Sequence, residues 1–335
     1  MFFSIIIPLF NRPEEIRELL QSLLLQTYKN FEVVIVEDGS SHPAEELVLS
    51  FADRLQVSYY FKPNEGQGFA RNYGFANAKG DFFIVFDSDV IVPEGYLETV
   101  KNGIENRQLD AFGGPDAAHD SFTPIQKAIS YSMTSPFTTG GIRGNKKHVG
   151  QFHPRSFNMG ISRRVWQETK GYKLSRRSED IEFSIRMIRS GYKVELIPDA
   201  FVYHKRRTSL SQFFKQIYGF GQGRIDIDQL YPGELKLIHT LPAVFTLAVV
   251  GICILHVLDW LTCREIPSVN VLAALGRAGL GMYCLFLFMH SLVTTKSFKV
   301  AVLSVFAAFT QLMAYGFGFM RNYIDRVWLK KDTAR

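Results

Sequence analysis

The front of the chain alternates short apolar runs with segments whose apolar residues recur every three or four positions. The short runs are typical of buried strands, and the three-to-four spacing is typical of helices. Strands that alternate with helices predict an α/β fold, a Rossmann-like and mostly parallel sheet with helices on both faces. The predicted strands are 4–9, 31–36, 57–61, 82–86 and 194–197, and the predicted helices are 13–27, 43–51, 68–78 and 180–190.

The last hundred residues have a different pattern, because they contain three long uncharged stretches. Residues 241–258 and 278–295 hold 18 residues each without a charge, and 300–320 holds 21. Lengths near 20 are typical of membrane-spanning helices, and a buried helical subdomain is the alternative. The predicted organisation is an α/β domain over 1–225, an interfacial junction over 226–238, two or three membrane helices over 239–322 and a basic tail over 323–335.

The charge is concentrated in the apolar tail. Of the net charge of +6, residues 237–335 carry +5, which leaves the front nearly neutral and argues against a nucleic-acid surface. Basic residues before the first apolar stretch predict that the front lies in the cytoplasm. Three full spans would place the last basic residues on the other side, so we expect 278–295 to be re-entrant or interfacial. The basic residues before the first stretch are Lys205, Arg206, Arg207, Lys215, Arg224 and Lys236, and the last ones are Arg321, Arg326, Lys330 and Lys331.

Polar residues follow the predicted strands at their carboxyl ends, where parallel α/β sheets bind ligands. Carboxylates there accept hydrogen bonds from a base N–H or a ribose hydroxyl, and an arginine nearby meets phosphate. Each residue alone is more often part of a turn or a solvated helix charge. Their joint occurrence at successive strand ends favours a ligand site. The cluster consists of Pro8, Asn11, Glu37, Asp38, Gly66 and Arg71.

A second acidic cluster, Asp87-Ser88-Asp89, directly follows the apolar run 82–86. Alternate carboxylates at a strand end are suitable oxygen ligands for a hard divalent cation. Such a cation would bridge a diphosphate and neutralise its charge as it leaves. A surface acidic turn is the alternative, but the position directly after a buried strand favours a metal site.

The third group consists of Glu179 and Asp180 at the start of the predicted helix 180–190. One acidic residue at this position is often a helix cap. Asp180 is also placed to act as a general base that takes a proton from an acceptor hydroxyl. His204 follows the strand 194–197 and is a candidate third metal ligand or diphosphate contact. An ordinary loop histidine is the alternative.

In this order, the motifs resemble those of the inverting family 2 glycosyltransferases of the GT-A fold. The resemblance covers roughly residues 2–225, and it implies a nucleotide-diphosphate sugar donor, most often a UDP-sugar, with Mg²⁺ or Mn²⁺ as cofactor. The motifs that carry it are Pro8 with Asn11, Glu37-Asp38-Gly39-Ser40, Asn64-Glu65-Gly66, Ala70-Arg71-Asn72, Asp87-Ser88-Asp89, Gly113-Gly114-Pro115, Phe157-Asn158-Met159, Gly171-Tyr172 and Glu179-Asp180.

The resemblance also implies a role for each matching position. Asp87 would lie near the ribose and the donor sugar, Asp89 would bind the metal, and Asp180 would be the base. Glu37 is a mild departure, because aspartate is also common there. Asn158, Met159 and Glu179 would lie on the acceptor side, and Pro8, Asn11, Glu37, Asp38, Gly66 and Arg71 would line the nucleotide pocket.

The implied reaction is one in-line displacement that inverts the anomeric centre. Processive synthases of the family carry a Gln-x-x-Arg-Trp motif. The corresponding stretch 211–224 has no Arg-Trp, which favours transfer of a single sugar.

A nucleotidyltransferase on a similar sheet would need a glycine-rich loop after the first strand, and residues 8–13 contain no glycine.

The acceptor is predicted to be held in a membrane, because a basic, aromatic stretch over 204–224 precedes the apolar segments. The preferred acceptor is a polyprenyl-diphosphate-linked saccharide of cell-surface polysaccharide synthesis. A polyprenyl monophosphate, which would yield a lipid-phosphate sugar donor, is the alternative. A non-catalytic sugar-nucleotide-binding scaffold is the alternative from another class. The expected location is the inner membrane, with the α/β domain on the cytoplasmic face.

Overall fold

The computed structural model describes residues 1–139, 152–262 and 266–331. These residues form two compact units. The first comprises 1–120 and 152–205, and the second comprises 121–139 and the described residues from 206 onward. The boundary predicted near residue 225 falls inside a helix of the second unit, Leu210–Leu230, because that helix packs against the apolar helix Phe298–Tyr323.

The first unit contains a seven-stranded sheet and a separate three-stranded sheet. In the larger sheet, β1, β2, β4 and β8 are buried at every residue or at all but one. The strands are β1 (Phe3–Leu9), β2 (Phe31–Asp38), β3 (Val57–Lys62), β4 (Phe82–Phe86), β5 (Val90–Ile91), β6 (Ala111–Gly113), β7 (Asp116–Ala117), β8 (Asn158–Ser162), β9 (Val194–Leu196) and β10 (Val202–His204).

Helices follow most strands of the first unit and form nearly all of the second. The helices predicted at 13–27, 43–51, 68–78 and 180–190 are present. The helices are α1 (Pro13–Leu24), α2 (Glu45–Leu49), α3 (Gln67–Asn77), α4 (Tyr96–Arg107), α5 (Pro124–Thr134), α6 (Pro136–Thr139), α7 (Arg163–Thr169), α8 (Glu179–Arg189), α9 (Leu210–Leu230), α10 (Leu241–Leu261), α11 (Pro267–Thr295) and α12 (Phe298–Tyr323).

The larger sheet has the strand order β3-β2-β1-β4-β8-β6-β9. Its neighbours are parallel except at β8, which is antiparallel to both β4 and β6. The smaller sheet has the order β5-β10-β7. The prediction of a mostly parallel α/β fold is therefore confirmed. The strand β8 is not predicted from the sequence, because Asn158–Ser162 contains a polar residue at each end and a glycine and so lacks an apolar run.

Apolar residues of the strands alternate between two cores, one on each face of the sheet. Ile5 and Ile7 pack against residues of α1, α2 and α4, whereas Ile6 packs against residues of α3, α7 and α8. This alternation follows from the two-residue period of a strand. Both faces are covered, which explains why β1, β2 and β4 are continuous apolar runs.

Three helices of the second unit are long and apolar enough to cross a membrane, judged by length and composition. They cover Leu237–Leu261, Pro267–Thr295 and Phe298–Trp328. Asp259 and Arg277, one charged residue in each of the first two, face each other with 3.8 Å between Nη1 and Oδ2. The sequence predicts two or three membrane helices, and the structure contains three that are long and apolar enough.

The helices α9 and α12 approach each other closely at glycines. A Cβ atom added to Gly221 would lie 2.2 Å from the carbonyl oxygen of Tyr315, and one added to Gly318 would lie 2.1 Å from that of Tyr218. Backbone carbonyls cannot move aside as flexible side chains do. Small residues at such crossings let two helix backbones come together.

We expect Gly221→Ala to lower the free energy of unfolding by about 1–3 kcal/mol, because the added methyl group overpacks the crossing. The matched control is Gly219→Ala in the same helix, where an added Cβ meets no atom of the described residues within 4 Å. That control should be neutral or should gain up to about 1 kcal/mol from helix propensity. Thermal unfolding of both variants in one detergent would check this. Equal stability of the two would show that α9 and α12 are not closely packed in solution.

Candidate active site

The acidic residues that follow β2 and β4 lie at one edge of the sheet. This follows from the pairing of β1 in parallel with both neighbours, which sets Leu9 opposite Glu37. The carboxyl ends of parallel strands meet at one edge, and ligands bind there in open α/β sheets. The structure therefore brings the ends of these three strands together, as the sequence predicts.

Asp38 is the last residue of β2 and organises the start of α3. Its Oδ2 accepts a hydrogen bond from the Gly66 amide at 2.8 Å, and its Oδ1 accepts from the Glu65 amide at 3.0 Å and from Lys62 Nζ at 3.1 Å. Gly66 has a φ of +101°, and an added Cβ would lie 2.6 Å from the Ser175 carbonyl oxygen. A side chain at Gly66 would therefore displace the loop that Asp38 holds.

Glu37 lies inside the protein rather than at the open edge of the sheet. Its side chain is fully buried and accepts hydrogen bonds from Ser40 Oγ, from the Ala44 amide at 2.9 Å and from Tyr59 Oη at 3.0 Å. These bonds fix the turn after β2. In this structure the Glu37 carboxylate has no surface open to a ligand, so any effect on a nucleotide would pass through the turn.

Asn11 joins the loop after β1 to the turn after β2. Its backbone has a φ of +53°, and its Oδ1 accepts from the Ser41 amide at 2.9 Å and from Ser41 Oγ at 3.0 Å. Pro8 precedes this loop in β1, opposite Val36, and is half-buried. Both residues thus lie at the sheet edge where the sequence predicts them.

Arg71 is a fully buried guanidinium that bridges two carboxylates from distant parts of the chain. Its Nη2 donates to Asp87 Oδ1 at 2.7 Å, and its Nη1 donates to Glu179 Oε1 at 2.9 Å. The guanidinium also stacks over the Tyr172 ring, with 5.3 Å from Cζ to the ring centroid. Although burial disfavours the charged form, Tyr172, Asp87 and Glu179 raise the pKa of Arg71.

Asp87, Asp89 and His204 form a group that could hold a metal ion, with one ligand atom from each lying within 4.8 Å of the others. The histidine reaches the two aspartates because β10 pairs antiparallel with β5, which sets His204 opposite Val90. The Lys205 amide also donates to the Asp89 carbonyl oxygen at 2.9 Å. Two very short strands therefore complete the cluster.

Asp89 is buried between Arg12 and His204. Its Oδ2 lies 2.5 Å from Arg12 Nη1, and its Oδ1 lies 3.1 Å from His204 Nε2. Burial opposes ionisation of this carboxyl group, but His204 and Arg12 outweigh it and hold the pKa of Asp89 well below its usual range. Arg12 is thus a site residue that the sequence analysis missed.

The donor set fits a divalent cation. Two carboxylates and an imidazole are ligands that Mn²⁺ accepts, and Mg²⁺ prefers the carboxylates. Within the described residues, the buried Nδ1 of His204 has no hydrogen-bond partner, and Asp89 Oδ1 has no contact other than the one to His204. Asp87 is about a third exposed, at 34%, so one side of the cluster is open. The buried Asp89 Oδ1, which has no hydrogen-bond partner among the described residues, supports a cation site in this accessible cluster.

Glu179 and Asp180, at the start of α8, have different surroundings. Glu179 is buried and accepts from Arg71 and from Gln67 Nε2 at 2.6 Å. Asp180 is partly exposed, and its Oδ1 accepts from the Ile181 amide at 2.8 Å while its Oδ2 lies 3.6 Å from Arg155 Nη1. Of the two carboxylates, Asp180 is therefore the more accessible one.

Burial and the neighbouring charge of Asp180 raise the pKa of Glu179 to about 7, although Arg71 and Gln67 donate hydrogen bonds to it. A raised pKa means that the folded protein holds this proton more tightly than the unfolded chain does. The contribution to stability is therefore complete at low pH and is lost as the pH rises through 7.

Asn158 and Met159, expected on the acceptor side, are both fully buried. The Asn158 Oδ1 accepts from Tyr96 Oη, and its Nδ2 donates to the Ala200 carbonyl oxygen at 2.8 Å. Met159 belongs to the apolar core on one face of the sheet. Both side chains are therefore engaged within the fold, because β8 lies between β4 and β6.

Sequence reasoning missed Arg12, Gln67 and Arg155 as residues of the site. Arg12 follows Asn11 directly, and its position one residue beyond a predicted site residue was an available signal. Gln67 likewise follows Gly66. Arg155 had no such signal, because its contact with Asp180 joins a loop to a helix that begins 24 residues later.

The sheet order and the acidic cluster at its carboxyl edge define a domain of the GT-A type. Residues 4–168 match the family described as Glycosyl transferase family 2. This part of the chain therefore belongs to glycosyltransferase family 2, as the motifs predict.

Among curated proteins, the chain is similar to an uncharacterized glycosyltransferase, RT0329, of Rickettsia typhi. The two are 37% identical over 114 residues, which is 33% of this chain and 35% of that protein. The chain thus spans about a third of the length of this relative.

Two solved structures share the fold. The mannosyltransferase PcManGT from Pyrobaculum calidifontis, in complex with GDP-Man and Mn²⁺, has a TM-score of 0.57 and 16% identity, over 97% of this chain and 87% of that one. TarS 1–349 of S. aureus, in complex with UDP-GlcNAc, has a TM-score of 0.50 and 16% identity, over 100% and 93%. At this identity the likeness concerns the fold.

We expect the wild type to lose stability relative to Glu179→Gln as the pH rises from 4.5 to about 7, the interval between the ordinary and the raised pKa of Glu179. The glutamine stays neutral at every pH, so it lacks this dependence. Thermal unfolding of both proteins at several pH values would measure the difference. The control is Glu46→Gln at an exposed position. A difference between wild type and Glu179→Gln that is constant over this pH range would contradict the raised pKa.

Proposed function

We propose that this protein transfers one sugar from a nucleoside-diphosphate sugar to a hydroxyl group of a lipid-linked acceptor, with inversion at the anomeric carbon. The observation that carries the proposal is a continuous series of charged groups at the carboxyl edge of a family 2 domain. The cluster of Asp87, Asp89 and His204 is joined through Arg71 to the pair Glu179 and Asp180.

The donor in this proposal is a UDP-sugar, bound along the edge formed by β1, β2 and β4. The family assignment supports a nucleotide-sugar donor, and the fold neighbour TarS 1–349 was solved with UDP-GlcNAc. The loops that Asn11, Glu37 and Asp38 hold in place would line the nucleoside pocket. Because the fold neighbour PcManGT was solved with GDP-Man, guanosine diphosphate sugars are the comparison donors for the assay.

Asp87, Asp89 and His204 would hold Mg²⁺ or Mn²⁺, which supplies positive charge for the diphosphate leaving group. The chain's own residues position the remaining parts. Arg71 keeps Asp87 at the edge of the sheet and keeps Glu179 next to Asp180. Arg12 lies beside Asp89 and offers a second cation that can turn toward a bound diphosphate.

Asp180 is proposed as the general base. Its carboxylate takes the proton of the acceptor hydroxyl, and the acceptor oxygen attacks the anomeric carbon. The bond from that carbon to the diphosphate oxygen breaks, and the nucleoside diphosphate leaves with the electron pair. One displacement inverts the configuration, so an α-linked donor gives a β-linked product. The partly exposed position of Asp180 supports this role.

The acceptor in this proposal is a polyprenyl-diphosphate-linked saccharide of cell-surface polysaccharide synthesis, used on the cytoplasmic face of the inner membrane. Three apolar helices follow the catalytic unit, which supports an acceptor that is itself held in lipid. Basic residues before α10, including Lys215, Arg224 and Lys236, support the cytoplasmic side.

We expect protein in lipid discs to release nucleoside diphosphate only when a matching sugar nucleotide, Mg²⁺ or Mn²⁺ and a lipid acceptor are all present. The assay compares UDP- and GDP-sugars with polyprenyl-diphosphate-linked and polyprenyl-monophosphate acceptors. Asp180→Asn should lower the rate by about 10²–10⁴-fold, the usual contribution of a general base. The control Asp53→Asn, at an exposed position, should keep the wild-type rate.

Equal rates for the wild type and Asp180→Asn would remove Asp180 as the base. If nucleoside diphosphate is released only in the presence of polyprenyl monophosphate, the acceptor is polyprenyl monophosphate and the proposed saccharide acceptor is wrong. Cation-dependent nucleotide binding without release from any donor and acceptor pair would favour a non-catalytic scaffold.

We expect Arg12→Gln to lower the dissociation constant for Mn²⁺ by about tenfold, or about 1.4 kcal/mol. In the structure Arg12 is paired with Asp89 Oδ2, so a cation must compete with the guanidinium for this oxygen. The same variant should bind nucleoside diphosphate more weakly once Mn²⁺ is present. Electron paramagnetic resonance of free Mn²⁺ and nucleotide titration would measure the two effects.

The matched control is Arg17→Gln in α1, the helix that begins directly after Arg12, and the Arg17 guanidinium contacts only Glu14 among the described residues. It should change neither affinity. A weaker affinity of Arg12→Gln for Mn²⁺ would contradict competition between Arg12 and the cation.

A further inference from the structure

The three apolar helices differ in how much of their surface the protein itself covers. In the most apolar window of Leu237–Leu261 and of Pro267–Thr295, 17% and 11% of residues are buried inside the protein, whereas 44% are buried in that of Phe298–Trp328. Contacts within the protein therefore account for much of the apolar surface of α12. They do not account for that of α10 and α11, which needs another apolar environment.

The charged residues inside α10 and α11 are arranged as expected for helices in lipid. Asp259 in α10 and Arg277 in α11 are the single formally charged residues of each helix, and they face each other at 3.8 Å. Arg277 Nη1 also lies 2.9 Å from His256 Nδ1 in α10. Ionisable groups within spanning helices usually pair with one another in this way.

The helix α12 contacts α10 and α11, but it also packs against two helices that are unable to span a membrane. Its residues Val300, Ala307 and Ala314 form one apolar cluster with α5 and α9. The helix α5 has only 11 residues, where a span needs about 20. The helix α9 has 21 residues but carries four charged ones, Lys215, Arg224, Asp226 and Asp228. Neither α5 nor α9 therefore belongs in the hydrocarbon layer.

The carboxyl end of α12 is fixed to α9 by polar contacts. Asn322 Nδ2 donates to the Gln222 carbonyl oxygen at 2.7 Å and to Asp226 Oδ1 at 2.8 Å. Just beyond, Arg326 Nε lies 3.5 Å from Asp226 Oδ1. This end of the helix consequently lies on whichever side of the membrane α9 occupies.

Chain connectivity decides that side. Four residues separate Lys205, the last residue of the first unit, from Leu210, the first of α9. Four extended residues reach roughly 13–14 Å, and a hydrocarbon layer is about 30 Å thick. The three residues between Asp120 and the start of α5 reach even less. Both α5 and α9 therefore begin on the same side as the first unit.

We propose that α10 and α11 cross the membrane as a hairpin and that α12 does not cross it. In this arrangement α12 stays on the side of the first unit, packed on α5 and α9, and residue 331 returns to that side. Lys236, Arg321, Arg326, Lys330 and Lys331 then all lie on one side, as the positive-inside tendency requires. The segment outside the bilayer is thus α12, in place of the 278–295 segment that the sequence suggested. The proposal does not depend on sugar transfer.

The test is cysteine labelling of the full chain in sealed membranes of a bacterial host. Cys253, Cys263 and Cys284 are first replaced by serine, and then one exposed position at a time is changed to cysteine. The positions are Glu46→Cys in the first unit, Ser268→Cys at the start of α11 and Lys331→Cys beyond α12. A membrane-impermeant maleimide is applied to spheroplasts and to inverted vesicles.

We expect Lys331→Cys to label in the same preparation as Glu46→Cys and Ser268→Cys to label in the opposite one. Labelling of Lys331→Cys together with Ser268→Cys, opposite to Glu46→Cys, would establish three crossings and overturn the proposal. Labelling of all three in one preparation would also overturn it, because the hairpin would then not cross. Lys330→Cys repeats the decisive position if Lys331→Cys does not accumulate.

Discussion

The buried guanidinium of Arg71 is the interaction on which the rest of the candidate site depends. Arg71 comes from α3, Asp87 follows β4 and Glu179 begins α8, so one side chain holds three separate elements together. Removing charges from water costs several kcal/mol for each ion, and only well-placed partners offset this cost. The distance between the group of Asp87, Asp89 and His204 and the helix that carries Asp180 is therefore fixed by electrostatics as well as by packing. Asp180 itself forms no hydrogen bond with Arg71 among the described residues and remains partly exposed.

Much of the first unit could be predicted from the sequence, because buried parallel strands have long apolar runs and their carboxyl ends share an edge. The direction in which each side chain points could not be predicted from the sequence. Glu37 and Asp38 are neighbours in β2, so they point to opposite faces of the strand. The structure turns Glu37 into the protein and Asp38 toward the loop of Gly66. A motif shows which residue types are present, whereas only the fold shows which of them a ligand can reach.

His204 was predicted as a candidate metal ligand, but its direct contact with Asp89 was not predicted, for a related reason. It depends on the pairing of β5 and β10, strands of two and three residues, which are too short to leave a pattern. Asn158 and Met159 show the opposite case. Their positions match a family motif, yet β8 buries both between two other strands. In the second unit, composition predicted the apolar helices but not that α5, from a segment without a clear pattern, would cover α12.

The second unit is assembled from two parts of the chain that are far apart in sequence. Ile129 of α5 packs with Val300 of α12, and about 170 residues lie between them. At a synthesis rate of about 5–20 residues per second, α12 emerges from the ribosome roughly 10–30 s after α5. During that time the first unit can fold, whereas the apolar face of α5 lacks the contacts that α12 provides. The order of synthesis therefore makes α5 the segment that needs protection by a chaperone or by the membrane surface until the last helix is made.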